Sequence, residues 1–392
     1  MANKKFHIST ISIVVIITIF SQITDIDAFF RPAMYIGWVL LLVLGVVASG
    51  FKLKLSPMIK TYLVFFLAYY LYCFILSLFG QVHMGSRYLN ILPIPLLVML
   101  VAGLFSSDFD DESLCKIAKA YILAALVFSV WIHYTYFASY SSWLSYRAGY
   151  LFETKNSAAQ TISTAVYLIF FIITKDKKER KKKFIWYAVA IYLVILLGIC
   201  QARTSLLGIA LSLLIYAIRY SKKQLQWLAG ILVLGLIALQ IPAVQTYIAK
   251  VFEFNKYATA DLNTISSGRW NGYIRALSLF RDKPFIGQGS YYIDCSYISI
   301  LTESGILGFC LIEPIWITRI YTNYKNSALK SDVIGVNYRN FVVLLTVFYF
   351  VESLLEAFPP FGPGVTCFGY WFMCEAIWGY GKNRQREMID AN

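Results

Sequence analysis

Two chemistries are within reach of the polar residues of this chain: anion binding by arginine and proton transfer by carboxylate. The turn Gln201-Ala202-Arg203-Thr204-Ser205 sets a guanidinium beside hydroxyls that can cap a helix start. A helix N-terminus next to an arginine makes an anion site. Arg147, Arg269 and Arg275 recur in segments rich in Trp, Tyr, Ser and Gly. Their planar, permanently charged forks match phosphate and diphosphate oxygens, and the competing reading is anchoring to lipid headgroups. Asp294 and Glu303 fall in residues 291–309, a polar stretch that turns apolar. A partly desolvated carboxylate there suits a general base for a hydroxyl, while pairing of Glu303 with a nearby arginine stays open.

Glu352 and Glu356 stand four residues apart, on one helical face, just before the proline-rich run 358–364. Such carboxylates in apolar surroundings are costly and are functional candidates by default. Interhelical pairing with Arg31, Arg87 or Arg147 is the favoured alternative. Glu313 and Glu375 are also embedded, with no partner legible in the sequence. Gly305 and Gly308 read as small-residue helix packing. The three histidines, at 7, 83 and 133, and the seven cysteines show no metal-ligand spacing, so no metal and no cofactor are expected. Asp108-Phe109-Asp110 lies in a short connector with no nucleotide-binding fold around it, and Gly287-Gln288-Gly289 is an incomplete dinucleotide fingerprint.

The elements that must position these groups are membrane spans. Of 392 residues, 59% are hydrophobic and 14% charged, and mean hydropathy is +0.63. That composition excludes a nucleic-acid-binding protein and a large soluble catalytic domain, and it predicts a single all-α, polytopic integral membrane domain over 1–392. About 12 apolar runs can be drawn, near 7–24, 34–50, 61–80, 88–106, 117–137, 157–174, 184–201, 204–219, 226–243, 296–318, 340–358 and 364–380. With the N-terminus in the cytoplasm, 24 of the 35 basic residues fall on the cytoplasmic side, as the positive-inside rule requires. Both termini are then cytoplasmic. Seven of the 11 basic residues outside are arginine, against six of 24 inside. Two outer segments are long: 138–156, the first functional loop, and 244–295, a large loop containing short amphipathic helices. Ser266 or Ser267 is expected to cap one such helix, which carries Trp270, Tyr273, Ile274, Leu277 and Phe280 at helical spacing.

Over residues 201–309 the order of motifs resembles the O-antigen ligase and polymerase superfamily. The motifs are the Arg203-Thr204 turn between two spans, Gly268-Arg269, Ala276-Leu277, Arg281-Asp282-Lys283-Pro284, Gly287-x-Gly289, Asp294-Cys295-Ser296-Tyr297 and Glu303-Ser304-Gly305-Ile306-Leu307-Gly308. The first half of the chain matches only as a set of spans. The resemblance implies a multi-pass glycosyltransferase of the bacterial inner membrane, working at the periplasmic face on undecaprenyl-diphosphate-linked oligosaccharide. A chain-length regulator and a flippase are implied partners. Ligases usually carry His where Asp294 stands, which favours a polymerase of O-antigen or a related surface polysaccharide; a ligase to lipid A core is the alternative, and a flippase a third. An Arg with a Gly sixteen positions on, described for some polymerases, is absent at Arg147, Arg269 and Arg275.

The expected mechanism is inverting and metal-independent. Arg203 and Arg269 hold the lipid diphosphate, with Arg275 and Arg147 as lesser candidates, and Asp294 or Glu303 takes the acceptor proton. Outer aromatic side chains such as Trp270, Tyr291 and Tyr292 suit stacking on sugar rings.

Overall fold

A computed structural model describes residues 2–51, 55–81, 83–136, 155–175, 179, 181–220, 239–252, 261–266, 268–325 and 336–390. Arg147, nearly all of the first functional loop and most of the ninth expected span, 226–243, lie outside the described residues. The rest is helical: α1 Ala2–Phe20, α2 Asp27–Ala48, α3 Pro57–Leu78, α4 Arg87–Ile91, α5 Pro93–Leu104, α6 Asp111–Tyr136, α7 Lys155–Lys175, α8 Lys183–Ile199, α9 Arg203–Tyr220, α10 Pro242–Phe252, α11 Leu262–Ile265, α12 Arg269–Asp282, α13 Ser296–Lys325, α14 Val336–Leu355 and α15 Phe368–Asp390. Among the described residues, eight stretches are long and apolar enough to cross a bilayer, and α8 and α9 supply shorter apolar helices. The chain is thus an all-α polytopic membrane protein. The twelfth expected span lies on α15, whose first half is buried among its neighbours and whose second half is charged.

Burial follows membrane logic. Ile36, Val39, Leu40, Val43 and Val47 of α2 and Val64, Leu67 and Leu71 of α3 point outward, a surface suited to lipid and ill suited to water. At the centre stands α7, buried on nearly every side and packed on α6, α8 and α14. Its Ser157, Ala158, Ala159, Thr161, Ser163, Thr164 and Ala165 keep the helix thin, so neighbours approach closely. Lipid tails give helices little hydrophobic reason to associate, so interhelical hydrogen bonds contribute. Trp38 donates to Thr18 Oγ1 at 2.9 Å and Tyr62 to the Leu92 carbonyl at 2.8 Å.

One helix is broken where the sequence suggested only packing. Gly305 inside α13 has φ 63° and ψ −171°, a conformation open to glycine. The loop preceding α13 is spliced into the break: Gln288 N and Gly289 N donate to the Thr302 and Glu303 carbonyls at 2.9 and 2.8 Å, and Ile306 N donates to Pro284 O at 2.9 Å. These bonds satisfy backbone groups that a broken helix leaves bare. A Cβ on Gly305 would lie 2.3 Å from the Phe285 backbone, and one on Gly287 would lie 2.5 Å from Glu303 O. Gly308 packs as expected, against Ser304 and the Tyr69 ring.

Candidate active site

Three residues, Cys200 to Ala202, separate α8 from α9. Gln201, at φ 54°, turns the chain, and Ala202 N closes on the Leu197 carbonyl at 3.0 Å. Arg203 is therefore fixed at the very start of α9. Thr204 and Ser205, expected as caps, have hydroxyls that donate to Glu356 Oε1 at 3.1 Å and Glu352 Oε1 at 2.6 Å. Among the described residues, the pairing expected for these two carboxylates is thus corrected for Arg31 and Arg87, while Arg147 lies outside them. Arg31 bonds Asp27 within α2, and the Arg87 guanidinium lies over the Tyr292 ring. Glu352 takes a hydroxyl, and Glu356 takes a different arginine.

That arginine is Arg269. Gly268, at φ 86°, is the N-cap of α12 in place of the expected serine, and Ser266, two residues earlier, accepts Trp270 N on its hydroxyl at 2.9 Å. Arg269 Nε then donates to Asp294 Oδ2 at 3.0 Å, and its Nη2 to Glu356 Oε1 at 2.9 Å. Asn156 at the start of α7 donates to Glu356 Oε2 at 2.8 Å. Tyr292 donates to Asp294 Oδ1 at 2.8 Å, and Tyr273 to the Asp294 carbonyl at 2.6 Å. Glu356 thus gathers α7, α9 and α12 at the end of α14. Burial pushes the Tyr273 phenol up to about 12 against the pull of Arg269, and burial and Asp294 push Tyr292 up as well. Both phenols stay protonated donors at neutral pH.

Around this junction lies a cavity of about 350 Å³, whose lining includes Lys155, Asn156, Arg203, Thr204, Arg269, Tyr273 and Glu356. Three cations and one carboxylate share it. Two of the five N–H donors of Arg269 are committed to carboxylates, which leaves three for a ligand. Wide enough for a diphosphate and the first atoms of a sugar, it has the polar convergence expected of a binding site.

The other sequence candidates separate. Asp294 sits in the same cluster through Arg269, one bond from the cavity. Arg275 is exposed on α12 and does not line the cavity. Glu303 is fully buried and holds a different junction: it accepts from the Ser86 hydroxyl and from Arg87 N at 3.0 Å, so it fixes the start of α4 against the broken helix. Trp270, Ile274 and Leu277 of the expected apolar stripe face outward. Sequence reasoning missed Asn156 and Lys155 as parts of the site, and it demoted Glu356. The legible signal was the four-residue spacing of Glu352 and Glu356; their partners, 87 residues or more away along the chain, were not legible. Of the other embedded acids, Glu375 pairs with Arg319 at 2.9 Å. Among the described residues, no three His, Cys, Asp or Glu side chains group as metal ligands do.

Residues 188–312 match the family model described as O-antigen ligase. The matched stretch runs from α8 through the broken helix, so it holds Arg203, Arg269 and Asp294, and it supports the O-antigen ligase and polymerase superfamily, a glycosyltransferase-like enzyme family. Comparison with curated proteins found no match.

Proposed function

We propose that this chain is a surface-polysaccharide polymerase, joining oligosaccharide repeat units carried on undecaprenyl diphosphate by inverting glycosyl transfer at the periplasmic face of the inner membrane. The observation that carries the reading is the convergence of Arg203 and Arg269, from two distant segments, on one cavity at the end of the helix bundle. In this reading the departing lipid diphosphate is neutralised by Arg203 and Arg269, with Lys155 beside them. Asp294 and Glu356 hold the Arg269 fork in orientation, so the charge is in place before the bond breaks. A hydroxyl of the incoming repeat attacks the anomeric carbon from the opposite face, and the diphosphate leaves with its electron pair. The acceptor proton passes to the Asp294 and Glu356 pair, of which Glu356 lines the cavity. Glu303, expected as a second candidate base, is assigned instead to anchoring α4.

Transfer to lipid A core is the second reading, favoured by the description of the matching family; Asp294, where ligases usually carry His, favours the polymerase. Purified protein given lipid-linked repeats, with and without lipid A core, distinguishes them: longer lipid-linked chains support polymerisation, and glycan on the core alone rejects it. Arg203→Lys and Arg269→Lys are expected to abolish long chains while protein stays in the membrane. Normal chain length in both would remove the diphosphate assignment.

A further inference from the structure

The bundle has a second cationic cavity, at the end opposite the candidate active site. The two ends are set by α1 and α13. His7 near the start of α1 bonds Asp108 at 2.7 Å, whereas Gln22, just past its other end, accepts from Thr161 at 2.8 Å, one turn beyond Asn156. The 19 residues of α1 span about 28 Å between these points. The long helix α13 likewise begins beside Asp294 and ends at Lys325. At that far end, Arg319, Lys325 and Lys382 line a cavity of about 280 Å³ together with Trp378 and the first residues of α3, Pro57 and Met58. Among the described residues, no acidic side chain lines it. Pro57, Trp378 and Lys382 are shared with a neighbouring cavity of about 700 Å³, whose lining includes Arg386 and the His7 and Asp108 pair.

We propose that this cavity binds a phosphate group, carried by an anionic phospholipid headgroup or free in solution. Four observations converge. Arg319 is 1% exposed and, although one nitrogen pairs with Glu375, its Nε has no hydrogen-bond partner. A buried guanidinium N–H without an acceptor is expensive, so Glu375 does not match this cation fully, and its charge lies beside the cavity. Lys325 closes α13 and Lys382 lies two turns before the end of α15, and neither forms an ion pair with a described residue. The start of α3, with Ser56 capping it through Ile59 N at 3.1 Å, adds the positive end of a 22-residue helix. Trp378 places Lys382 with an ammonium 5.9 Å from its ring, as an aromatic at headgroup depth does. A basic pocket between membrane helices is a known physical solution for lipid phosphate. The inference does not depend on the polymerase reading.

The test uses the full chain, purified in uncharged detergent and stripped of lipid. Phosphatidylglycerol, phosphatidylcholine and inorganic phosphate are titrated separately, with bound mass and melting temperature as readouts. Saturable binding of phosphatidylglycerol over phosphatidylcholine is expected if the phosphate is a headgroup; equivalent binding of inorganic phosphate identifies the free ion. The double variant Lys325→Gln/Lys382→Gln should weaken whichever binds by about 30-fold, and Lys325→Gln alone by about 5-fold. Arg384→Gln, on the same helix but paired with Glu387 and away from the cavity, should leave binding unchanged. No binding by any probe, or equal binding by the wild type and both lysine variants, overturns the proposal.

Discussion

Arg269 and Arg319 each pair with a glutamate in the same molecule, and the two pairs differ in nearly every physical respect. Arg319 and Glu375 are each 1% exposed, with the guanidinium 5.3 Å from the centre of the Trp371 ring and a single carboxylate as counterion. Arg269 is 24% exposed at its side chain, is shared between two carboxylates, and keeps donors turned to a cavity. A buried pair is defined by the cost of breaking it. An open junction is defined by what else it can bind. What separates the two arginines is therefore access: Arg269 keeps part of its side chain exposed, whereas the unpartnered Nε of Arg319 is sealed in the interior.

The largest expected effect breaks the buried pair. Arg319→Leu leaves Glu375 without its counterion in a low-dielectric interior, so about 3–5 kcal/mol of stability should go. The check is the yield of monodisperse protein and its melting temperature. Arg319→Leu/Glu375→Leu should recover most of the loss, because it removes both charges; failure to recover would mean that shape, not charge, is decisive at this position. The open junction should respond in the opposite sense. Arg269→Lys keeps a charge but loses the fork that spans Asp294 and Glu356, and removal of such a stabiliser costs about 3–4 kcal/mol of barrier, or 10²- to 10³-fold in turnover. Its melting temperature should stay within a few degrees of wild type. Similar melting losses in Arg319→Leu and Arg269→Lys would erase the distinction between the pairs.

Glu356→Gln sharpens the functional side. The amide keeps the shape and can still accept from Arg269 and Thr204, but it cannot hold a proton for the acceptor, so turnover should fall about 10- to 100-fold. Glu303→Gln is the control inside the broken helix. With Ser86 and Arg87 N as its partners, it should cost about 1–2 kcal/mol of stability and change turnover less than threefold. A larger loss of turnover in Glu303→Gln than in Glu356→Gln would return the base to the position first read from sequence.

The helices were legible because bilayer thickness forces long apolar runs, and ten of the twelve expected spans fall on the eight long or two shorter apolar helices. Arg203 and Arg269 stood out as candidates because arginine on the side read as outer opposes the topology rule and therefore invites a reason. What escaped the sequence was non-local. Glu356 could have reached any of several arginines by spacing alone, and the choice of Arg269 is made by the packing of α9 on α14 and of α12 on α13, which itself packs on α14. Gly305 looked like a packing glycine because only the folded chain brings residues 284–289 into contact with it. The same applies to Glu303: its chemistry suits a base, and only the folded chain shows that it is buried with the Ser86 hydroxyl and Arg87 N as its partners.

The smallest effect tests whether the splice at that break is electrically neutral. His83 donates from Nε2 to the Ile286 carbonyl at 2.6 Å, with Tyr72 sharing the same oxygen at 3.2 Å. Burial lowers the imidazole pKa from 6.5, nearby Lys283 lowers it further, and the Ile286 bond opposes both. A lowered histidine pKa means that the unfolded chain binds more protons than the folded one between the folded value and 6.5. Stability from the neutral ring is therefore complete above pH 6.5 and declines as pH falls below it. The expected result is a melting temperature that drops from pH 7 to pH 5 by a few degrees more in wild type than in His83→Gln, which keeps a donor but does not titrate. Equal slopes would show that the imidazole charges without resistance, and the splice around Gly305 would then be open to water rather than sealed by the Ile286 carbonyl.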